Sequence, residues 1–187
     1  VSFKTAMYDV RRSEGGYAND PDDEGKETYI GIARKFWPKW EGWAIIDRIK
    51  KNAGRKIKNN EKFNDFKLNK MVDAFYYKYF WVPLKCHKIK DPLFAEHLFD
   101  CGINLGKRSA VRFFQETINK YFKNCLVVDG LIGPATISKL NGASSQFANV
   151  IVQERINLYF SKCYAKPVKF KWLRGWTLRS LKYTRKP

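Results

Sequence analysis

Apolar residues recur at helical spacing along most of this chain. Phe3, Ala6, Met7 and Val10 make one face of a helix over residues 3–14, with Ser2 as its N-cap. Residues 43–51 and 62–81 carry the same period, and Pro83 closes the second of them. "PLFAEHLFDCGINLG" and "KRSAVRFFQETINKYF" predict a helix pair broken at Gly106. "VVDGLIGPATISKLN" reads as a turn followed by a short helix with Pro134 at its first position, where the missing N–H costs nothing. A long helix is expected from about Ser144 to Ala165, ahead of a basic tail containing tryptophan.

One region departs from this period. Gly15-Gly16 is a helix stop, because glycine enters the left-handed conformation without steric cost. Residues 19–28 are dense in Asn, Asp, Pro and Gly, the composition of a tight polar loop, and "TYIGIA" (28–33) alternates like a short strand. The prediction is a mainly α chain, a helical bundle carrying one small β-hairpin. "KIKDP" (88–92) is the best linker candidate, dividing the chain into 1–88 and 89–187.

At 187 residues, 44% apolar and 16% aromatic, the chain is globular in composition. Its 36 Lys and Arg against 18 Asp and Glu predict attraction to a polyanion: nucleic acid, an anionic membrane face or an acidic wall polymer. No apolar run is long enough to span a bilayer, so stable membrane insertion is not expected. No helix-turn-helix, RRM or zinc signature supports nucleic-acid binding. The four cysteines, Cys86, Cys101, Cys125 and Cys163, are widely spaced and read as buried thiols; Cys86 with His87, His97 and Cys101 has poor zinc spacing.

Against that basic background, six of the eighteen carboxylates lie within residues 11–33. The first, Glu14, ends the predicted helix. The partial negative charge of a helix C-terminus disfavours its anion, as does partial burial, while Arg11 one turn earlier favours it. A glutamate kept protonated near neutral pH can act as a general acid. Glycoside hydrolysis normally needs a second carboxylate opposite the first, and Asp20, Asp22, Asp23, Glu24 and Glu27 are available. The hydroxyl of Thr28 can hold a water. "DPDDEGKE" lacks the alternating pattern of a calcium loop, and no metal or organic cofactor is expected.

The stretch "EGGYANDPDDEGKETYIGI" resembles the signature of the glycoside hydrolase family 108 muramidases, lysozyme-like enzymes of phages and bacteria. Further on, "FDCGINLG", "FFQETIN", "VDGLIGPATISKLN" and "RGWTLR" resemble the predicted peptidoglycan-binding domain that commonly follows. The resemblance runs from about Phe3 to Leu181. It implies a lysozyme-like α+β fold with the hairpin beside the active site. It also implies cleavage of the β-1,4 bond between N-acetylmuramic acid and N-acetylglucosamine, with Glu14 as the acid. E-x8-D-x4-T falls on Glu14, Asp23 and Thr28, so Asp23 and Thr28 would position the water, and inversion is the implied outcome. Tyr17, Asn19, Asp20 and Tyr29 are the expected substrate-binding residues.

One position departs from the family pattern, which usually has two glycines before E-T. The second is Lys26 here, and this bears on the conformation of the loop. Trp37, Trp40 and Trp43 suit either a sugar platform or the core of the small domain. The resemblance implies action on peptidoglycan glycan strands in the cell wall or periplasm, and a monomer is the default expectation. The N-terminal stretch has no apolar core of a signal peptide, which leaves the export route open. A non-catalytic wall-binding or secretion-related protein on the same scaffold is the alternative.

Overall fold

A computed structural model describes residues 3–19, 26–123 and 125–186. The fold is mainly α with one small antiparallel sheet, as expected. Contacts divide the chain into two compact units, Met7–Lys78 and the described residues of Val1–Ala6 with Tyr79–Pro187.

In the first unit, α1 (Phe3–Ser13) leads to a sheet of β1 (Tyr17–Asn19), β2 (Glu27–Tyr29) and β3 (Ile32–Ala33), ordered β1-β2-β3. Tyr17 faces Tyr29 and Tyr29 faces Ile32, so these three side chains share the buried face. The expected single strand over 28–33 is therefore two strands, divided by a turn at Ile30-Gly31. Two helices complete the unit, α2 (Gly42–Asn52) and α3 (Phe66–Tyr76). Asp65 sets the start of α3 by accepting a hydrogen bond from Leu68 N at 2.8 Å, which is why the helix begins later than the periodicity alone predicts. Arg11 fastens α1 to α3: its guanidinium donates to the Asp73 carboxylate at 2.7 and 3.1 Å, to Asn69 Oδ1 at 2.9 Å and to Asn69 O at 2.6 Å.

The tryptophans of this unit pack on one another and on Phe75, with Trp37 and Trp40 half-buried. Trp37 meets Phe75 edge-on at 4.8 Å, and Trp40 meets Trp43 edge-on at 5.2 Å. Trp43 is buried and its Nε1 donates to Trp37 O at 2.8 Å. The ring of Trp40 lies so close over Gly42 that a Cβ there would sit 2.3 Å from it.

The second unit contains α4 (Pro92–Leu105), α5 (Lys107–Tyr121), α6 (Pro134–Gly142), α7 (Phe147–Ala165) and α8 (Phe170–Leu181). A π-helical turn, Tyr77–Trp81, follows α3. The segment expected as a linker is anchored: Ile89 is buried, Lys90 N donates to Asn141 Oδ1 at 2.7 Å, and Asp91 caps α4 through Leu93 N at 2.9 Å. Gly106, at φ 82°, divides α4 from α5. Buried Gln115 organises the turn before α6, donating to Asp129 Oδ1 at 2.9 Å and accepting from Gly130 N at 2.9 Å. Asp129 and Gly130 thus form a turn, and Pro134 opens the helix. Cys86, Cys101 and Cys163 are buried free thiols, and burial pushes the Cys101 thiol up to about 12.

At the centre of this unit lies a buried charge cluster that periodicity gives no hint of. Asp100 on α4 is 1% exposed and accepts two guanidinium groups, Arg155 of α7 at 2.7 Å and Arg179 of α8 at 2.8 Å. Arg155 also donates from Nε to Tyr159 Oη at 2.9 Å. His97, one turn earlier on α4, is buried and stacks on Tyr183 at 4.7 Å. Burial, and then the charge of Arg155, hold its imidazole well below the ordinary histidine range.

Removing one partner of a buried ion cluster strands the other charge, which typically costs about 3–5 kcal/mol. Asp100→Asn should show a loss of that size in urea unfolding; a change below about 1 kcal/mol would mean that the cluster does not hold the helices. For His97 the folded pKa is lowered, so the unfolded state binds more protons and stability falls as pH drops below the ordinary value near 6.5. Its maximal slope is about 1.4 kcal/mol per pH unit. Unfolding midpoints from pH 7.5 to 5 should decline in the wild type and decline less in His97→Phe.

Candidate active site

The site starts where α1 stops. Glu14 N still donates to Val10 O at 2.8 Å, so Glu14 sits on the last turn of the helix. The two glycines that follow do not act as predicted, since neither has a positive φ. Close approach requires the second of them and crowds the first. A Cβ on Gly16 would lie 2.3 Å from Glu61 O and 2.4 Å from Asn60 O, and one on Gly15 would lie 3.2 Å from Asn60 Oδ1. That proximity lets Gly16 N donate to Asn60 Oδ1 at 2.7 Å, Tyr17 N to Glu61 O at 2.8 Å and Asn60 N to Tyr17 O at 2.7 Å. Glu61 is itself fixed by Arg55, at 2.8 and 3.0 Å, and by Lys58 N; these bonds hold its carboxyl at about 2.

The Ile30-Gly31 turn brings the second half of the site to the helix end. Both residues have positive φ, 44° and 73°, the arrangement of a two-residue type I′ hairpin turn. For β-branched Ile30 this conformation is strained, at a cost of order 1–3 kcal/mol. Three features hold it: Ile30 is buried, its N donates to Gly16 O at 3.2 Å, and its carbonyl accepts from Tyr76 Oη at 2.7 Å. Gly31 then lies directly against the candidate acid. A Cβ on it would be 3.0 Å from Glu14 Oε2 and 2.6 Å from Tyr76 Oη. Gly31 is exposed and Glu14 half-buried, so the carboxylate packs on a rigid turn at the protein surface.

Of the other predicted site residues, Thr28 is half-buried in the middle of the sheet, directly opposite Ala18 and Ala33, on the face away from Tyr29. Its small cross-strand neighbours leave room beside the hydroxyl. Tyr17 and Tyr29 are core residues. Tyr29 stacks on Phe63 at 5.1 Å and its Oη accepts from Phe63 N at 3.2 Å. Tyr17 Oη donates to Glu27 Oε1 at 2.8 Å, and burial followed by the Glu27 contact raises its pKa. Glu27, one of the carboxylates considered as a partner for Glu14, also binds Lys50 at 2.7 Å and Arg34 at 2.9 Å, and is thereby committed to holding the sheet on α2. Asp20 and Asp23, like Asp22 and Glu24, lie outside the described residues. Lys26 does not: it has φ 53°, accepting the left-handed conformation where the family pattern has a glycine.

Asn19 is exposed and lines a cavity of about 450 Å³ with Lys26, Glu27, Arg34, Lys35 and Pro38. Sequence reasoning placed none of the three cations there, because Arg34 and Lys35 follow the motif. It also missed Tyr76 and Gly31 as neighbours of Glu14; Gly31 lies inside the motif, but Tyr76 lies far along the chain. Among the described residues no group of three or more His, Cys, Asp or Glu side chains could hold a metal ion.

SagA of Brucella abortus has a similar fold, with a TM-score of 0.60 at 20% identity over 98% of this chain and 96% of that one. No curated protein matches the sequence. The family described as glycosyl hydrolase 108 matches residues 7–106, more than half of the chain and the whole of the Glu14 site. The chain belongs to glycosyl hydrolase family 108; it is a glycoside hydrolase, and its substrate is a glycan.

Proposed function

We propose that this glycoside hydrolase is an N-acetylmuramidase, cleaving the β-1,4 bond between N-acetylmuramic acid and N-acetylglucosamine in peptidoglycan. The observation that carries this reading is half-buried Glu14, whose carboxyl packs against exposed Gly31 at the end of α1. In the reaction Glu14 gives its proton to the glycosidic oxygen as the bond to the anomeric carbon breaks. A water held by Asp23 and Thr28 attacks that carbon from the opposite face and loses its proton to Asp23. The configuration inverts, and the new reducing end is N-acetylmuramic acid.

The remaining residues have supporting parts. Asn19, beside the cationic cavity, and Asp20 contact the glycan. Tyr17 and Tyr29, being buried, act through the sheet they stabilise. The region 1–88 is the catalytic domain and 89–187 a peptidoglycan-binding domain, with the cell wall as the place of action.

Glu14→Gln keeps the shape and removes the donatable proton. We expect kcat on purified peptidoglycan to fall by about 10²–10⁴-fold with wall binding retained. Mass spectrometry of wild-type products should find N-acetylmuramic acid at the reducing ends. Wall binding by both proteins with cleavage by neither would favour the non-catalytic alternative. Gly31→Ala puts a methyl group against Glu14 and Tyr76 in a conformation that alanine disfavours. It should lower kcat by at least about tenfold and stability by about 1–2 kcal/mol. Activity equal to wild type would separate the turn from the chemistry.

A further inference from the structure

The C-terminal end of the chain has a composition of its own. From Arg155 to Pro187 there are ten Lys and Arg and no Asp or Glu, and from Leu158 onward there is no Asn or Gln either. Some of these cations are used internally: Arg155 and Arg179 bind Asp100, and Arg185 binds Asp91. Lys166, Lys171, Arg174, Lys182 and Lys186 are exposed. The crowding is already felt at Lys162, whose pKa is lowered by burial and then by the charge of Lys169.

Large apolar side chains are exposed among these cations. Tyr164, Val168, Phe170, Trp172, Leu178 and Leu181 are between 42% and 73% exposed. They are ordered by what lies beneath them. Trp172 stacks on Trp176 at 6.0 Å, Trp176 packs on buried Tyr159 at 5.0 Å, and Phe170 meets Tyr164 edge-on at 5.7 Å. Lys171 Nζ lies 4.4 Å from the Trp172 ring centre. Along α8, Phe170, Arg174, Leu178 and Leu181 follow at helical spacing on one exposed face, so apolar groups and charge alternate along a single stripe.

The chemistry of this surface narrows its occupant. A glycan is ordinarily gripped by aromatic faces together with carboxylates or carboxamides that bind its hydroxyls, and this stretch has neither. Nucleic acid would use the cations and the indole, but the aliphatic Val168, Leu178 and Leu181 gain nothing from phosphates. Exposed cations mixed with Trp, Phe and Leu on a helix are what an anionic lipid interface accepts: the cations meet headgroup phosphates and the apolar groups enter the acyl boundary. No described helix is long and apolar enough to cross a membrane, so the contact is peripheral.

We propose that the α7–α8 corner and the exposed face of α8 form a docking surface for an anionic phospholipid bilayer, with Phe170, Leu178 and Leu181 entering the interface and Lys171 and Arg174 meeting lipid phosphates. This is independent of the muramidase reading, because no group of the Glu14 site takes part.

The test is flotation of the full-length protein with vesicles of phosphatidylglycerol and phosphatidylcholine, beside vesicles of phosphatidylcholine alone. Binding should be at least tenfold stronger to the anionic vesicles and should weaken with salt. Leu178→Ser with Leu181→Ser should reduce binding at least tenfold. Lys171→Glu with Arg174→Glu should reduce binding and flatten its salt dependence. Circular dichroism and thermal unfolding should match the wild type, since these side chains are exposed. Equal binding to both vesicle types, or undiminished binding by all the folded variants, would overturn the proposal. So would an absence of vesicle binding accompanied by loss, in the same variants, of retention on peptidoglycan or single-stranded DNA.

Discussion

The backbone of Asn60 and Glu61 runs through the space that a side chain on Gly16 would need, and the geometry around Glu14 follows from that contact. Because the two strands of chain lie so close, Gly16 and Tyr17 bond directly to residues 60 and 61, and the chain leaving α1 has one course available to it. Gly16 O in turn receives Ile30 N, which fixes the Ile30-Gly31 turn and so the surface on which the Glu14 carboxylate rests. A larger residue at position 16 would part the segments and release each of these bonds together. The strain at Ile30 is tolerated because the turn is overdetermined, held by its own sheet, by Gly16 and by Tyr76.

Most helices were legible because each buries one stripe. Met7 and Val10 on α1, Ile45 and Ile46 on α2, and Phe113, Phe114 and Ile118 on α5 are buried and recur at the spacing that periodicity detects. Pro134 at the first position of α6 was legible for the same local reason, whereas the cap at Asp91 was not, its segment reading as a linker. α8 was not, since Ser180 is its single buried residue and its exposed side mixes leucines with cations. The Ile30-Gly31 turn was missed because isoleucine is among the poorest residues for a left-handed conformation and gives no turn signal. What places it there is tertiary, the Tyr76 hydroxyl and the Gly16 carbonyl, and no short window of sequence contains either beside Ile30.

The candidate site divides along the same line. Glu14 was singled out through its position at a helix end followed by two glycines, which is local information, although Gly16 is there for close packing and not for backbone handedness. Tyr17 and Tyr29 belong to the same motif, yet they are buried against Phe63. A motif records which residues a structure needs and does not distinguish those facing a substrate from those that carry the sheet. Glu27 makes the distinction concrete: its neighbours Arg34, Lys50 and Tyr17 commit it to the fold, while Glu14 lies against exposed Gly31.

Charge shows the same limit at the scale of the whole chain. A net charge of +18 predicts attraction to a polyanion but assigns it to no surface. The structure sorts the cations by what they face. Arg11, Arg34, Lys50, Arg55, Arg155, Arg179 and Arg185 are bound to carboxylates and hold elements together. Arg155 is wholly buried and is hardly screened by salt, whereas the exposed Lys171 and Arg174 of α8 are screened at once. Raising ionic strength therefore weakens what the surface attracts well before it weakens the Asp100 cluster. Association and stability separate in salt, because the two sets of charges differ in burial and not in kind.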